Sequence, residues 1–343
     1  MKIIDLFSGI GGFSLGFQKA GYQFTEHYFS EIDKHAIANY KHNFPHAKYI
    51  GDITSIHGGD FTGIDVITFG SPCQDFSLAG KREGLKGAKS SLIQHAIALI
   101  AQLRPSVFVW ENVKGAFSSN AGADFWAIIQ TLANIGGYRL EFQLLNTKWL
   151  LPQNRERIYL IGHLAGRSIP GVFPIGENDK LPKGKTRKEN RKSTSIKTSL
   201  ARTITARYSK MGSNDTYIVP KVAATLTGGG HSGGLHSDMT VIRQLKRGKN
   251  KGADLTICPT ISSNAFQENN LLNGVRRLTE IECERLQGFS DNWTQYGDYN
   301  GTIKPIAKTQ RYKLIGNAVT VDIVTMIAKR LKFIEYENHK IPC

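Results

Sequence analysis

Three glycines follow a short apolar run at the start of the chain, in the stretch Asp5-Leu6-Phe7-Ser8-Gly9-Ile10-Gly11-Gly12-Phe13. Glycine lets the backbone turn sharply and approach a ligand closely, and a helix that begins after such a turn offers unpaired N–H groups. The full Gly-x-Gly-x-x-Gly spacing of a dinucleotide site is absent, so an adenosine-type cofactor fits the stretch better. Ordinary tight turns are the alternative for this feature taken alone.

Two acidic side chains further along strengthen the cofactor interpretation. Glu31 lies 19 residues beyond Gly12, after a second apolar run, where a nucleotide-binding fold places the carboxylate that holds ribose hydroxyls. Asp52, in Gly51-Asp52-Ile53-Thr54, offers an acceptor to an adenine amino group. Together with the glycines, these acids predict a site for a nucleoside-containing cofactor.

Short β-branched runs alternate with helical patterns through the first 165 residues, which is typical of a parallel sheet covered by helices. Strands are predicted at 2–7, 65–69, 106–110, 140–145 and 157–162, and helices at 91–103, 124–135 and 321–333. We therefore expect an α/β fold with a doubly wound, mostly parallel sheet.

The charge of the chain is unevenly distributed. Over 343 residues, 44 Lys and Arg face 28 Asp and Glu, a net charge of +16, and residues 166–275 alone carry 18 basic and 7 acidic side chains. Such a balance favours a polyanionic partner, nucleic acid first and an anionic membrane surface second. The plain alternative is a solvated loop region.

Residues 180–275 also differ in their sequence pattern. A basic run covers 180–192, and three Thr-rich stretches, at 201–205, 223–227 and 258–262, resemble short strands joined by polar, Gly-rich connections. This region is expected to form a second, smaller, irregular β-rich domain, with disorder as the alternative.

The four cysteines, Cys73, Cys258, Cys283 and Cys343, are far apart and form no Cys-x-x-Cys pair. Neither a zinc site nor a disulfide framework is indicated, so a reducing compartment is expected. The chain contains no apolar run of 18 residues, so we expect neither secretion nor a membrane span.

Three further stretches place reactive side chains near strand ends. They are Gly70-Ser71-Pro72-Cys73-Gln74, Trp110-Glu111-Asn112-Val113 and Gln153-Asn154-Arg155-Glu156-Arg157. Individually, an inert buried cysteine, surface turns or salt bridges explain them better than a catalytic role does. Because ligands bind at the carboxyl edge of a parallel sheet, their convergence indicates a catalytic site with a thiol, a carboxylic acid and an arginine pair. Residues 78–89, rich in glycine and cations, resemble a mobile lid.

These stretches, in this order, resemble the motifs of the DNA (cytosine-5)-methyltransferases. The first, catalytic, sixth and eighth motifs match the stretches at 5–13, 72–74, 111–113 and 153–157. The ninth and tenth match Arg276-Arg277-Leu278-Thr279 through Phe289, and Gly316-Asn317-Ala318-Val319. Only residues 180–275 lack a recognisable pattern, and in this family that interval is the variable target-recognition region.

The resemblance implies a cofactor, S-adenosyl-L-methionine, and no metal. It places the cofactor against Phe7, Ser8, Gly9, Gly11, Gly12, Glu31, Ile32, Asp52, Ile53, Pro72, Asn317, Ala318 and Val319. Many relatives carry a tryptophan after the ribose-binding acid, whereas Ile32 stands here, so the adenine is expected to pack on an aliphatic side chain.

The resemblance also implies a reaction and its catalytic residues, Cys73, Glu111, Arg155 and Arg157. A Cys73 thiolate adds to cytosine C6, Glu111 neutralises the charge on the ring, Arg157 assists the thiolate and Arg155 supports the pocket. The expected substrate is a flipped cytosine in double-stranded DNA, with DNA contacts from Lys81, Arg82, Lys86, Lys89, Arg202, Arg207 and Arg243.

The expected organisation is a catalytic domain of residues 1–180 plus 310–343 and a recognition domain with a hinge at 181–309. We expect a monomeric, prokaryotic or phage-encoded protein in the cytoplasm, associated with the nucleoid, with a restriction endonuclease as a candidate partner. Two alternatives stay open. One is methylation of transfer RNA, whose enzymes usually lack so large an insert. The other is a non-catalytic DNA-binding relative, which the presence of Cys73, Glu111 and Arg157 disfavours.

Overall fold

The computed structural model describes residues 1–71, 91–116, 122–176, 179, 242–244, 253–255, 258–259, 270–272 and 276–334. Pro72, Cys73, the lid candidate with Lys81, Arg82, Lys86 and Lys89, the basic run, and Arg202 and Arg207 lie outside these residues. Of Arg243, only the backbone is described.

The described residues contain seven α-helices. They are α1 Gly12–Lys19, α2 Lys34–Asn43, α3 Ser91–Leu103, α4 Ala123–Asn134, α5 Glu280–Leu286, α6 Lys308–Asn317 and α7 Val321–Arg330.

The strands of the main sheet alternate with these helices. They are β1 Lys2–Leu6, β2 Glu26–Ser30, β3 Lys48–Tyr49, β4 Val66–Phe69, β5 Val107–Val113, β6 Tyr138–Asn146 and, beyond the short β7 Gln153–Asn154, β8 Glu156–Leu164. The remaining strands are β9 Ser168–Ile169, β10 Ile242–Gln244, β11 Ala253–Leu255, β12 Cys258–Pro259, β13 Asn270–Leu272, β14 Arg276–Arg277, β15 Tyr296–Asp298, β16 Ile303–Pro305 and β17 Lys332–Phe333.

The main sheet has seven strands in the order β3-β2-β1-β4-β5-β8-β6. All neighbours are parallel except around β8, which runs antiparallel to both β5 and β6. The strand order reverses at β1, whose neighbours are β2 and β4. A ligand crevice is expected at the carboxyl ends of the strands beside such a switch point, and the glycine stretch leaves β1 there.

The central strands are buried on both faces, which explains why they read as continuous apolar runs. Ile3, Ile4 and Leu6 of β1, and all of β4, have no or little exposed surface. Helix α3 adds one apolar face, with Ala96, Leu99 and Ile100 in the same core cluster. The predicted doubly wound, mostly parallel α/β fold is confirmed.

The chain divides into two units. The first contains Met1–Asp179, Ile257–Glu268 and Leu278–Cys343, and the second contains Lys180–Thr256 and Asn269–Arg277. The described strands of the second unit form an antiparallel sheet in the order β11-β10-β13-β14.

Of the three Thr-rich stretches, only the start of 258–262 is described. It forms β12, which pairs with β7 in the first unit.

Several predicted element ends differ from the structure, and those of β5 and α7 differ most. Strand β5 continues to Val113 because it keeps pairing with β8 after β4 has ended at Phe69. Helix α7 ends at Arg330 rather than at residue 333, because Lys332 and Phe333 pair with β9 as β17. Among the described helices, none is long and apolar enough to cross a membrane.

Candidate active site

Glu111 lies within β5, and not in a loop after it as the sequence suggested. It stands one residue beyond Trp110, the partner of the last residue of β4, so it is at the carboxyl edge of β4 while still paired with Tyr159 of β8. Its side chain is almost buried. A Cβ at Gly70 would lie 3.3 Å from Glu111 Oε2, so the glycine leaves room for the carboxylate two residues before Pro72.

Arg157 forms an ion pair with the carboxylate of Glu111. Its Nε lies 3.1 Å from Glu111 Oε1, and both side chains are largely removed from solvent. Arg157 Nη1 donates a hydrogen bond to the carbonyl oxygen of Glu156 at 2.7 Å, which fixes the guanidinium. Glu111 Oε1 accepts no aligned hydrogen bond from the described residues, so the carboxyl group keeps a hydrogen-bonding position for a further partner.

Arg155 has a different environment from Arg157. It is buried, and its Nη2 donates to the carbonyl oxygen of Ala318 at 2.9 Å while Nη1 donates to that of Gly316 at 3.4 Å. Burial, and then the neighbouring charge of Arg157, lower the pKa of Arg155 to about 9, so the guanidinium remains charged at neutral pH. The structure therefore assigns Arg155 to holding the segment around Asn317.

Ser71 directly precedes Pro72 and Cys73 and is tied to β5. Its Oγ accepts hydrogen bonds from Trp110 Nε1 at 3.1 Å and from Asn112 Nδ2 at 3.4 Å. Ser71 is thus fixed beside Glu111 by the two residues that flank Glu111 in β5. No sequence pattern predicts this role of Asn112, because its partner is 41 residues away in the chain.

The glycine stretch forms a left-handed turn after β1. Phe7, Gly9 and Gly11 have φ values of 51°, 54° and 83°. A Cβ at Gly11 would lie 2.3 Å from the ring of Phe44, so a side chain is excluded at this position by conformation and by space. Ser8 Oγ is buried and has no hydrogen-bond partner among the described residues, which leaves a polar atom in the turn for a ligand.

Glu31 is fixed by backbone N–H groups at the end of β2. Oε2 accepts from Gly9 at 2.9 Å, and Oε1 accepts from Ile32 at 2.7 Å and from Asp33 at 3.0 Å. These bonds use three of roughly four acceptor positions of a carboxylate, so Glu31 can still accept from a ligand hydroxyl. The bond to Gly9 joins the acid to the glycine turn.

The residues predicted to surround the adenine lie near Glu31 in the fold. Ile32 is 73% exposed, unusual for an isoleucine, and offers apolar surface to a flat ring. Tyr49 donates its hydroxyl to the carbonyl oxygen of Glu31 at 2.9 Å. Asp52 caps a short 3-10 turn by accepting from Thr54 N at 3.2 Å, whereas Ile53 is buried in the core. Asp52 and Ile32 are thus both exposed, whereas Ile53 is not.

The last motif packs directly on the first. A Cβ at Gly12 would lie 2.6 Å from Val319 Cγ2, so this glycine permits the close approach. Asn317 ends α6, and Ala318 is held by Arg155. The segments around Gly9 and Asn317 are more than 300 residues apart in the chain but are neighbours in the first unit.

Gln287 secures both sides of the Asn317 segment. Its Nε2 donates to the carbonyl oxygen of Ile315 at 3.2 Å, its Oε1 accepts from Thr320 Oγ1 at 3.1 Å, and its own carbonyl accepts from Val321 N at 2.9 Å. The resemblance placed Gln287 in the ninth motif without a role. Its role follows only from the fold, because no local pattern indicates these partners.

A scan against family models matches the C-5 cytosine-specific DNA methylases over residues 1–333. The chain belongs to this family. It is a DNA methyltransferase that acts on carbon 5 of cytosine, and DNA is its substrate.

Individual relatives of this C-5 cytosine-specific DNA methylase agree with the assignment. The chain is 33% identical to the type II methyltransferase M.NgoBI of Neisseria gonorrhoeae, covering 96% of this chain and 92% of that protein. It is 29% identical to the type II methyltransferase M.Bsp6I of Bacillus sp. (strain RFL6), covering 96% and 98%. A crystal structure of a prophage-encoded E. coli protein has the same fold, with a TM-score of 0.58, 22% identity and coverage of 96% and 97%.

The described part of the methylase brings together most of the predicted site. Glu111 and Arg157 are paired, and the glycine turn, Glu31 and the Asn317 segment are joined by hydrogen bonds and close packing. The described residues contain no group of three or more His, Cys, Asp or Glu side chains that could hold a metal ion. Cys73 and the predicted DNA contacts of the lid fall outside the described residues.

Proposed function

We propose that this methylase transfers the methyl group of S-adenosyl-L-methionine to carbon 5 of a cytosine in a specific double-stranded DNA sequence. The observation that carries the proposal is the buried Glu111–Arg157 pair, which stands at the carboxyl edge of β4 beside the anchored Ser71. A carboxyl group fixed there can meet a base, and Cys73 is only two residues beyond Ser71.

The cofactor residues fit S-adenosyl-L-methionine. Glu31 offers a fixed carboxylate to the ribose hydroxyls, Ile32 an exposed apolar surface to the adenine, and Ser8 a buried hydroxyl without a partner among the described residues. Asp52 is proposed to accept from the adenine amino group, and Asn317 to lie at the methionine end. When bound, the cofactor supplies a methyl group activated by its positively charged sulfur.

Cytosine C5 is a weak nucleophile, and we assign its activation to Cys73. The thiolate forms a bond from Sγ to C6, and the electron pair of the C5=C6 bond moves onto C5. That electron pair would then bond C5 to the methyl group, while the electron pair of the broken S–CH3 bond would stay on the cofactor's sulfur. Loss of the proton from C5 to water returns the electron pair to the ring and breaks the Sγ–C6 bond. Cys73 leaves as the thiolate with the electron pair of that bond, and the product is 5-methylcytosine.

Glu111 and Arg157 stabilise charge during this addition. Glu111 is proposed to share a proton with ring N3, which neutralises the negative charge that thiolate addition brings to the base. Arg157 orients that carboxyl group through the ion pair and adds positive charge near the thiolate. Arg155 acts from further away by holding the carbonyls of Gly316 and Ala318.

Access to both faces of the ring requires that the target cytosine leave the duplex, at a cost of a few kcal/mol. We propose that the basic segment of the recognition region, within 181–309, and the cations of the 78–89 stretch offset this cost by contacting phosphates. Arg202, Arg207 and Arg243 are the candidates for base contacts. Because the relatives named above are type II methyltransferases, a restriction endonuclease with the same target is the proposed partner.

One chain carries all the proposed catalytic and cofactor residues, so we propose that the enzyme acts as a monomer.

Bisulfite sequencing of a plasmid tests the proposed function. The plasmid is incubated with the purified protein and S-adenosyl-L-methionine, and a parallel sample omits the cofactor. We expect protected cytosines at one recurring sequence and only in the presence of the cofactor. Protection at scattered cytosines would contradict sequence specificity, and methylation of transfer RNA without plasmid methylation would contradict the DNA assignment.

A further inference from the structure

We propose that Trp293 is a positioning residue for the cofactor, because its side chain fixes the glycine turn. It does so although it belongs to none of the motifs identified in the sequence. The inference rests on the proposed function, since it takes S-adenosyl-L-methionine as the ligand of that turn. Trp293 lies in the connection after α5, between the ninth and tenth motifs.

The indole forms a direct bond to the turn. Trp293 Nε1 donates a hydrogen bond to the carbonyl oxygen of Ile10 at 2.9 Å. Ile10 stands between Gly9 and Gly11, both in the left-handed region. Glycine has the largest conformational freedom of any residue, so a turn with two glycines around Ile10 needs contacts from elsewhere to keep one conformation.

Trp293 is itself held firmly. Its carbonyl oxygen accepts hydrogen bonds from Asn39 Nδ2 at 2.8 Å and from Asn43 Nδ2 at 3.1 Å, both on α2. Its ring lies against two others, with centroid distances of 5.7 Å to Phe44 and 5.5 Å to Phe289. The indole therefore has a fixed position from which to donate.

The same aromatic side chains support the glycines themselves. A Cβ at Gly11 would lie 2.3 Å from Phe44, and one at Gly12 would lie 3.4 Å from Phe289. The turn is thus bonded at two successive residues, with Glu31 accepting from Gly9 N and Trp293 donating to Ile10 O. Glu31 is proposed to touch the cofactor, whereas Trp293 acts only through the backbone of the turn.

The test replaces Trp293 by Phe in the full chain. Trp293→Phe removes the N–H donor and keeps an aromatic ring on Phe44 and Phe289. A neutral hydrogen bond is worth a factor of about 2 to 10 in an equilibrium, so calorimetry should show the Kd for S-adenosyl-L-methionine raised by that factor. We expect the KM for the cofactor to rise in parallel, with kcat at saturating cofactor and the KM for DNA unchanged.

Trp126→Phe is the matched control, because Trp126 is 56% exposed on α4 and should leave both constants unchanged. Unfolding temperatures of all variants are recorded, and if Trp293→Phe fails to fold, Asn43→Ala replaces it. Asn43→Ala weakens the anchor of Trp293 while the indole remains, and should also raise the Kd.

Equal cofactor affinity of a folded variant and the wild type would overturn the inference. Failure of the wild type to bind S-adenosyl-L-methionine would instead overturn the proposed function.

Discussion

Asp5 and His27 belong to a buried hydrogen-bond network directly beneath the glycine turn. Asp5 is fully buried and accepts from Ser14 Oγ, Tyr40 OH and Thr68 Oγ1, at 3.1, 3.1 and 2.8 Å. His27 Nε2 lies 3.0 Å from Ser14 Oγ and 2.8 Å from Tyr40 OH. Burial raises the pKa of Asp5 to about 7 and lowers that of His27 to about 4, so burial favours the neutral form of both groups.

These two shifts have opposite effects on stability. Between pH of about 4 and 7, the unfolded chain has lost the Asp5 proton while the folded chain keeps it, so stability falls as pH rises. Between about 4 and 6.5, the unfolded chain binds a proton at His27 that the folded chain does not, so stability rises with pH. In the wild type the two contributions largely cancel.

Replacing one partner should expose the slope of the other. For Asp5→Asn we expect the free energy of unfolding, relative to wild type, to increase between pH 4.5 and 6.5 by roughly 1 kcal/mol per pH unit. For His27→Gln we expect a decrease of similar size. Urea unfolding at several pH values measures both, and variant profiles parallel to that of the wild type would refute the assignment.

Among the described residues, Glu111 is the one whose replacement we expect to slow methylation most. Glu111→Gln keeps the shape of the side chain but cannot exchange a proton with the base, so we expect the single-turnover methylation rate to fall about 100-fold or more. Affinity for the duplex serves as the control and should change little. A rate within tenfold of wild type would remove Glu111 from the chemistry.

At the residue scale, the sequence predicted the side chains that motifs identify and missed those that act through distant partners. Glu111, Arg157 and Glu31 are close to other predicted site residues in the fold. Trp293 and Gln287 were given no role, because their bonds join segments that only the folded chain brings together. Hydrophobic periodicity contains no information about such polar contacts.

Among the elements, helices α5 and α6 carry the ninth and tenth motifs and are joined by a buried ion pair. Glu284 has no exposed surface, and its Oε1 accepts from Arg311 Nη2 and Thr294 N, both at 2.9 Å. Thr279 and Glu282 begin α5 with a capping box. The pair therefore fixes α6 against α5, and with it the position of Asn317 at the end of α6.

Glu284→Gln should be strongly destabilising, because it leaves Arg311 buried without its counter-charge. Breaking a buried pair costs about 3 to 5 kcal/mol, and urea unfolding should show a loss near the lower end, since the amide oxygen can still accept. Arg285→Gln is the matched control from the same helix. Its pair with Asp291 is exposed and should contribute less than about 1 kcal/mol. Equal losses in the two variants would contradict this account.

Element types were predictable where periodicity is strong, and element ends were not. The strands at β1, β4 and β5 follow from their apolar runs, and α3 from its apolar face. The reversal of β8 and the extension of β5 depend on strand pairing, which single-strand patterns do not encode. The extension matters most, because it turns Glu111 from a loop residue into one fixed by a ladder of backbone bonds.

For the whole molecule, charge is unevenly distributed along the chain, which supports the proposal that the basic interval contacts DNA. The sequence predicted the α/β fold from the alternation of strands and helices and the basic interval from composition. The division into a catalytic domain of residues 1–180 plus 310–343 and a recognition domain at 181–309 stays a prediction. Residues 1–165 carry 15 basic and 13 acidic side chains and so have almost no net charge, whereas residues 166–275 carry 18 and 7.

Deleting residues 183–192, which contain six Lys and Arg, should flatten the salt dependence of DNA affinity. Each phosphate contact adds about 0.9 to the magnitude of the slope of log K against log salt. We therefore expect the slope to become shallower by about 0.9 for each phosphate contact that the deletion removes. Deleting residues 226–235 is the matched control, since it removes ten residues without Lys or Arg. An unchanged slope after the first deletion would make the basic run a linker.

The covalent step at Cys73 is the central claim, and a duplex with 5-fluorocytosine at the target position tests it most directly. Release of the enzyme requires loss of a proton from C5, and fluorine cannot leave as a proton. With S-adenosyl-L-methionine present, we predict a denaturation-resistant complex of protein and DNA, linked through Cys73 in peptide mapping and absent from Cys73→Ser. A wild-type enzyme that methylates the ordinary duplex yet forms no such complex would contradict the mechanism.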